Sequence, residues 1–386
     1  MALNIIIEIL IVLSASIILG ELFEQLKFPS VVGYLIAGLI IGPFVFNLIQ
    51  NNLELQALSS LSLFFIIFLL GIEMKTESVI KYLKPSLKMS ITSFILPLIL
   101  SVLLSVFLLH FGLRQDFIVS LAIAVPSISI ISVLIMRYNL ARDSKGITII
   151  GSVVITDVIA FLFLGMAYKN ALNAILLVIY FIVFLMIFLN VDKILNKGSE
   201  KLRKQLTKSK KILKSEHFGY AMIIVIGLLT GGVSQLIGVN YIIGVFFAGL
   251  IIHEGLIGKT LFRKVRRTIK RMNDGFFIPI FFGIAGIEVS SFHSLGSYIP
   301  AIIIISVSVI SFSIILNYFS SGKIMKIKRK QWKIKISAII NGRGAVGIAI
   351  ATVAFEIGVI TDLAYSIVIL STIIISIIAT SLLRNT

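Results

Sequence analysis

The 386-residue sequence contains no cysteine, a single tryptophan and few charges. Without cysteine there is no disulfide scaffold, no thiolate metal site and no thiol nucleophile. Only 13% of the residues are charged, about half the share usual in a soluble domain, whereas 58% are apolar. With a mean hydropathy of +1.09, a water-soluble globular fold is excluded. Acids are scarcer than bases, 17 against 35, for a net charge of +18. In a soluble protein that excess would point to nucleic acid; in a membrane protein it points to loops facing an anionic cytoplasmic leaflet. Other chemistry is missing too. There is no Gly-x-x-x-x-Gly-Lys-Ser/Thr loop for a nucleotide phosphate, so no cofactor is expected. The four histidines, His110, His217, His253 and His293, are scattered at span ends without metal-ligand spacing. No nucleophile–base pair suits an intramembrane enzyme, and the chain is expected not to be one.

What is present is a series of long hydrophobic runs. A bilayer core needs about 20 apolar residues per helix. Thirteen spans are predicted, at 3–20, 29–49, 55–73, 88–112, 115–136, 146–167, 171–190, 217–237, 239–253, 275–288, 297–320, 336–356 and 361–383. The first has neither a basic leader nor a small-residue cleavage site and is read as a retained span. The basic residues test this map independently. Of 35, 32 fall in the connections after the odd-numbered spans and in the C-terminal tail. Arg114 and Lys169 lie on the other side, and Arg343 lies inside span 12. The positive-inside rule then puts the N-terminus outside and the C-terminus in the cytoplasm of a multi-pass plasma-membrane protein. Topology accounts for the basic excess, so no nucleic-acid partner is expected. The basic run 193–214 reads as a linker, either a solvated loop or a helix lying on the membrane surface.

Two internal matches point to duplication. Gly33–Ile41 aligns with Gly244–Ile252, at an offset of 211 residues, and Gly71-Ile72-Glu73-Met74 aligns with Gly286-Ile287-Glu288-Val289, at 215. The matched segments are seven spans apart, and an odd separation inverts orientation. Inverted repeats of this kind mark secondary transporters, with substrate held between the repeats near the midplane. The expected division is a first repeat at 1–167, a linking helix and basic loop at 168–216, and a second repeat at 217–386.

Most acids lie in connections or near span ends, but Asp157 lies in the middle of an apolar run, in Thr156-Asp157. An Asp at a helix centre costs about 2.5–3.5 kcal/mol on insertion, which points to a proton or cation site. Span 5 carries Pro126-Ser127-Ile128-Ser129. Proline removes a backbone donor, so the helix should break there, and its freed carbonyls with Ser127 and Ser129 are hard oxygen ligands for an alkali cation. Span 12 carries Asn341-Gly342-Arg343-Gly344, where glycines permit irregular backbone. The economical arrangement packs the two broken helices together, with Arg343 neutralising their inward carbonyl ends and Asp157 alongside. A carboxyl so placed holds a proton or a cation but not both, and that competition suffices for exchange.

These residues resemble the membrane domain of the monovalent cation/proton antiporter superfamily, of the sodium/proton exchanger type. The carriers are the Phe28–Pro43 segment, the Gly71-Ile72-Glu73-Met74 ending, Pro126-Ser127, Thr156-Asp157 and Gly342-Arg343-Gly344. The resemblance implies an all-α integral membrane protein of about thirteen transmembrane helices. It further implies six-helix inverted repeats with two broken helices, a core domain, and a dimerisation domain that makes a homodimer. Asp157 would be the ion- and proton-binding carboxylate, transiently holding Na+ or another alkali cation such as Li+ or K+. Thr156 stands where relatives show Asp, Asn or Gln, and Arg343 matches the basic residue of the second broken helix. Glu73 is similar to an acid that some members use near the ion path, or else serves as a charge at the cytoplasmic end. A single carboxylate in place of an Asp-Asp pair suggests electroneutral Na+/H+ exchange. The alternative is a K+/H+ antiporter of the potassium-efflux type without its regulatory domain.

Overall fold

The structure is a computed structural model that describes residues 5–73, 82–127, 131, 135, 138, 140, 143–166, 179, 216–236, 241–252, 259–290 and 295–384. It is all-helical, and no strand occurs among the described residues. In chain order the helices are α1 (Ile5–Gln25), α2 (Ser30–Ile41), α3 (Leu53–Glu73), α4 (Leu83–Leu108), α5 (Leu113–Ala124), α6 (Ser144–Met166) and α7 (Glu216–Leu236). Then follow α8 (Tyr241–Ile251), α9 (Lys259–Met272), α10 (Ile278–Ile287), α11 (Ile299–Ile324), α12 (Lys330–Ile340), α13 (Ala345–Glu356) and α14 (Asp362–Arg384). β-branched residues are common in them, yet the chain is helical because only a helix satisfies its own backbone in hydrocarbon. Among the described residues seven helical runs are long and apolar enough to cross a bilayer. The predicted spans at 171–190 and the basic linker fall outside the described residues, apart from residue 179.

The chain divides into two compact units, one of residues 1–60, 76–167 and 278–386, the other of 61–75 and 168–277. In the first, α2 packs on α1 and α10, α4 on α5, α6 and α11, and α14 on α11, α12 and α13. Gly38 of α2 sits so close to α10 that an added Cβ would overlap the Gly283 carbonyl and press on Gly286. The second unit has a core of Phe64, Phe68 and Ile72 with Val245, Ala248, Val265 and Ile269. There Gly249 of α8 meets the Phe68 carbonyl and Gly71 of α3 in the same way. The two backbone crossings use the glycines that the sequence matches pair, Gly38 with Gly249 and Gly286 with Gly71.

Two elements differ from the sequence expectation. The basic stretch 259–271 was predicted as a connection, but α9 is a helix. Its apolar residues Leu261, Val265 and Ile269 recur every four positions, and Val265 and Ile269 are buried in the unit's core while Arg263, Lys264 and Arg267 face outward. Such a stripe stabilises a helix whatever the charge of its other face. The predicted span 29–49 is helical only to Ile41; residues 42–49 then fold back in a tight turn, with Asn47 N–H donating to Gly42 and Leu48 N–H to Ile41.

Helix α6 is capped at its start by Asp143, which accepts from the Lys145 backbone N–H at 3.0 Å and the Lys145 ammonium at 2.9 Å. The Lys145 backbone donor, chiefly, holds the Asp143 carboxyl below its ordinary range. A depressed carboxylate stabilises the fold above the unfolded pKa of about 4 and loses that contribution as pH falls through the lower folded value. Asp143→Ala should therefore lower stability by about 1 kcal/mol at neutral pH. Thermal unfolding in detergent checks this: the difference from the parent should shrink toward nothing in strong acid.

Candidate functional site

The first unit brings the two broken helices together. Helix α5 stops at Ala124, and residues 125–127 are not helical. Pro126 has no N–H for the Ala122 carbonyl four residues earlier. That carbonyl points at α13, where Gly347 leaves room for it and an added Cβ would overlap it. The second break, at 341–344, separates α12 from α13. Its polar groups find partners across the crossing, on α14 and within α12. Ser127 N–H donates to the Gly342 carbonyl at 2.8 Å, the Ser376 hydroxyl donates to the Arg343 carbonyl at 2.9 Å, and the Asn341 side-chain amide donates to Ser337 at 2.7 Å.

Asp157 lies on α6, which packs against both α5 and α13. It is 0% exposed, and neither carboxylate oxygen has a hydrogen-bond partner among the described residues. Thr156 beside it is buried and spends its hydroxyl on the Val153 carbonyl, at 2.7 Å. Arg343 is 1% exposed. Its Nη2 donates to the Ser93 carbonyl at 3.4 Å and to Asn341 Oδ1 at 3.3 Å, while Nε and Nη1 have no partner among the described residues. Nearly all buried polar groups in proteins are satisfied. A buried carboxylate and a buried guanidinium with free atoms in one unit are charged exceptions, and the carboxylate calls for a cation or a proton.

The Arg343 bond to Ser93 has a cause that the sequence carries. Pro97 lacks the N–H that would cap the Ser93 carbonyl in a regular helix, and α4 widens into a π turn at 91–95 just before it. The orphaned carbonyl is thus offered to the guanidinium. Sequence reasoning placed Arg343 against the ends of the broken helices; its side-chain bonds go instead to this third interrupted helix and to Asn341. The usable signal was Pro97, a proline inside an apolar run.

Of the other predicted site residues, Pro126 and Ser127 are buried at the first break. Ser129 lies outside the described residues. Glu73 belongs to the second unit, at the end of α3, where it pairs with Arg266 at 3.2 Å and Lys270 at 3.7 Å. This pair is partly exposed, so Glu73→Gln should cost no more than about 1 kcal/mol of stability. A thermal shift beyond that in a fluorescence-monitored melt would show that the pair is better insulated than its exposure indicates.

Comparison with known proteins bears on what such an arrangement does. The family described as "sodium/hydrogen exchanger, transmembrane" matches residues 9–386. The chain belongs to the sodium/hydrogen exchanger family. That family comprises multi-pass membrane transporters, not enzymes. A probable Na(+)/H(+) antiporter 3 of Methanocaldococcus jannaschii is 25% identical to this exchanger-family chain over 72% of it and 70% of the relative. The Na(+)/H(+)-K(+) antiporter GerN of Bacillus cereus is 24% identical over 98% of this chain and 95% of its own. Among solved structures, the sodium proton antiporter MjNhaP1 of Methanocaldococcus jannaschii superposes with a TM-score of 0.68 at 18% identity, over 98% of this chain and 95% of that one. At that identity the likeness is one of fold.

Proposed function

We propose that this chain is a secondary active transporter that exchanges Na+ for H+ across the cell membrane by alternating access, with ion and proton competing for Asp157. The observation that carries the reading is the fully buried carboxylate of Asp157, without a hydrogen-bond partner among the described residues, on a helix packed against both broken helices. An ionised carboxylate in that position, with no counter-charge, costs several kcal/mol. It is tolerated only with a proton or a cation on it, and each must leave for the other to bind. Ser127, at the first break, and Thr156, next to Asp157 in sequence, are the oxygen-bearing side chains assigned to this chemistry, and Arg343 balances charge near the second break. Ser129 is assigned to the same oxygen set from its place in the sequence.

A single carboxylate without an acidic neighbour supports one-for-one, electroneutral exchange. Glu73, held by two cations of its own unit, is assigned to that ion pair and not to the ion path. Na+ is the first choice of cation because the family and the two antiporters named above carry it in their descriptions. GerN, whose name includes K+, keeps K+/H+ exchange as the second reading. The paired crossings at Gly38 and Gly249 support a duplicated and inverted architecture, with 1–167 and 217–386 as the repeats and thirteen spans in all. The distribution of basic residues supports an outer N-terminus and a cytoplasmic C-terminus, and the resemblance adds a homodimer.

The test is purified protein in proteoliposomes loaded with a pH-sensitive dye, acidified inside, with Na+, Li+ and K+ added in turn outside. Saturable alkalinisation of the lumen by Na+ is the expected result, unaffected by a clamped membrane potential. No response to any of the three would sink the exchange reading, and a response to K+ alone would transfer it to the second reading.

A further inference from the structure

The repeat pairs Glu73 with Glu288, and the two carboxylates are treated in opposite ways. Glu73 is neutralised by Arg266 and Lys270. At the same offset of 215 residues, the counterpart of Arg266 is Asn51. Asn51 does what its counterpart does, donating from its amide to Glu288 Oε1 at 3.3 Å, but brings no charge. Tyr365, a fully buried residue of α14, meets the Thr352 hydroxyl of α13 at 3.5 Å, and its neighbour Ser366 accepts at Oγ from the Ser290 N–H, two residues beyond Glu288, at 2.8 Å. Glu288 Oε2 and Asn51 Oδ1 are buried oxygens with no hydrogen-bond partner among the described residues. Two more acids lie on the packed pair α13 and α14, Glu356 in the last turn of the one and Asp362 in the first turn of the other. Among the described residues none of these three acids makes an ion pair; the ion pairs there belong to Asp143 and Glu73.

Glu356 adds a second anomaly. A helix C-terminus carries partial negative charge and favours a cation beside it. Here the C-terminal turn of α13 holds a carboxylate, whose Oε1 accepts from the Ser60 hydroxyl at 2.9 Å. Nothing in packing favours placing Glu288, Glu356 and a helix C-terminus on these elements with no ion pair to either acid among the described residues. The arrangement makes sense if the positive charge is mobile.

We infer that Glu288, Glu356, Asn51 and Tyr365 form a second monovalent-cation site, at the end of α13 remote from its break. Its ligands are hard oxygens: the free Glu288 Oε2, the free Asn51 carbonyl, the Glu356 carboxylate and the Tyr365 hydroxyl. The Tyr365–Thr352 contact ties the site to the half-helix whose other end forms the break beside Arg343. The site loads ions at the mouth on that face, the outer one in the topology proposed above. This role rests on the exchange reading; the binding itself does not.

The experiment therefore has a binding arm and a transport arm. Scintillation proximity with 22Na+ and 86Rb+ is run on purified Asp157→Asn protein, with and without added Glu288→Gln and Glu356→Gln. Saturable binding of at least one probe should survive Asp157→Asn and disappear when both glutamates are also replaced. Absence of binding in Asp157→Asn alone, or its persistence in the triple variant, overturns the site. In proteoliposomes, Glu288→Gln or Glu356→Gln alone should raise the half-saturating cation concentration about threefold at the face bearing Glu288, with the maximal rate unchanged. Equal shifts at both faces, or none, overturn the loading role. If the parent protein exchanges nothing yet the binding arm gives the stated results, the exchange reading falls and this site stands.

Discussion

Asp157→Asn abolishes exchange while leaving the protein folded. Removing one partner of a buried ion pair costs about 3–5 kcal/mol, and each 1.4 kcal/mol is tenfold in affinity. The substitution should therefore weaken cation binding at this position by about 100-fold or more and remove the proton that returns. Asn preserves the side chain's shape, and the carboxylate it replaces makes no hydrogen bond to the described residues. Size-exclusion profile and melting temperature should thus match or exceed those of the parent. Dye-loaded proteoliposomes read the transport loss, and the melt separates it from misfolding. A folded Asp157→Asn protein that exchanges near the parental rate would place the chemistry elsewhere.

The second large effect concerns the crossing that positions the site. Gly347→Val should strongly destabilise the fold, because its Cβ would overlap the Ala122 carbonyl that Pro126 has released. Backbone atoms cannot rotate aside as a side chain does. Overpacking typically costs 1–3 kcal/mol even where side chains can adjust, so a loss of about 3 kcal/mol or more is expected here. That is a large part of the usual margin of about 5–15 kcal/mol. Gly232→Ala in α7 is the matched control: nothing lies within 4 Å of an added Cβ there, and its effect should stay within about 1 kcal/mol. Fluorescence-detected size exclusion after heating would rank the two. A Gly347→Val protein as stable as the control would show that α5 and α13 do not pack as closely as described.

The sequence made these features legible to different degrees, for physical reasons. Asp157 stood out because one carboxylate in an apolar run has a large cost that no local structure repays. The breaks at Pro126 and at 341–344 were legible because proline and glycine act on their own backbone. The two glycine crossings were visible only as a repeat; that they are points of backbone contact depends on tertiary packing. The π turn before Pro97 and its bond to Arg343 are not legible in the sequence, where the proline lies inside an ordinary apolar run and its effect on the Ser93 carbonyl depends on a partner 250 residues away. Helix α9 was hidden by its charge, which drew attention away from the spacing of Leu261, Val265 and Ile269. Glu288 was noticed as the match of Glu73, but its neutral partner Asn51 lies 237 residues away in the chain, beyond any local pattern.

Competition at one carboxylate makes a direct kinetic statement. If Na+ and H+ exclude each other at Asp157, acidifying the side from which Na+ enters raises the half-saturating Na+ concentration and leaves the maximal rate unchanged. Initial rates in proteoliposomes, measured across a Na+ series at several values of pH on that side, test this most directly. Lines converging on one maximal rate are predicted. A maximal rate that falls with acid while the half-saturating concentration stays constant would contradict it, because proton and cation would then occupy separate groups.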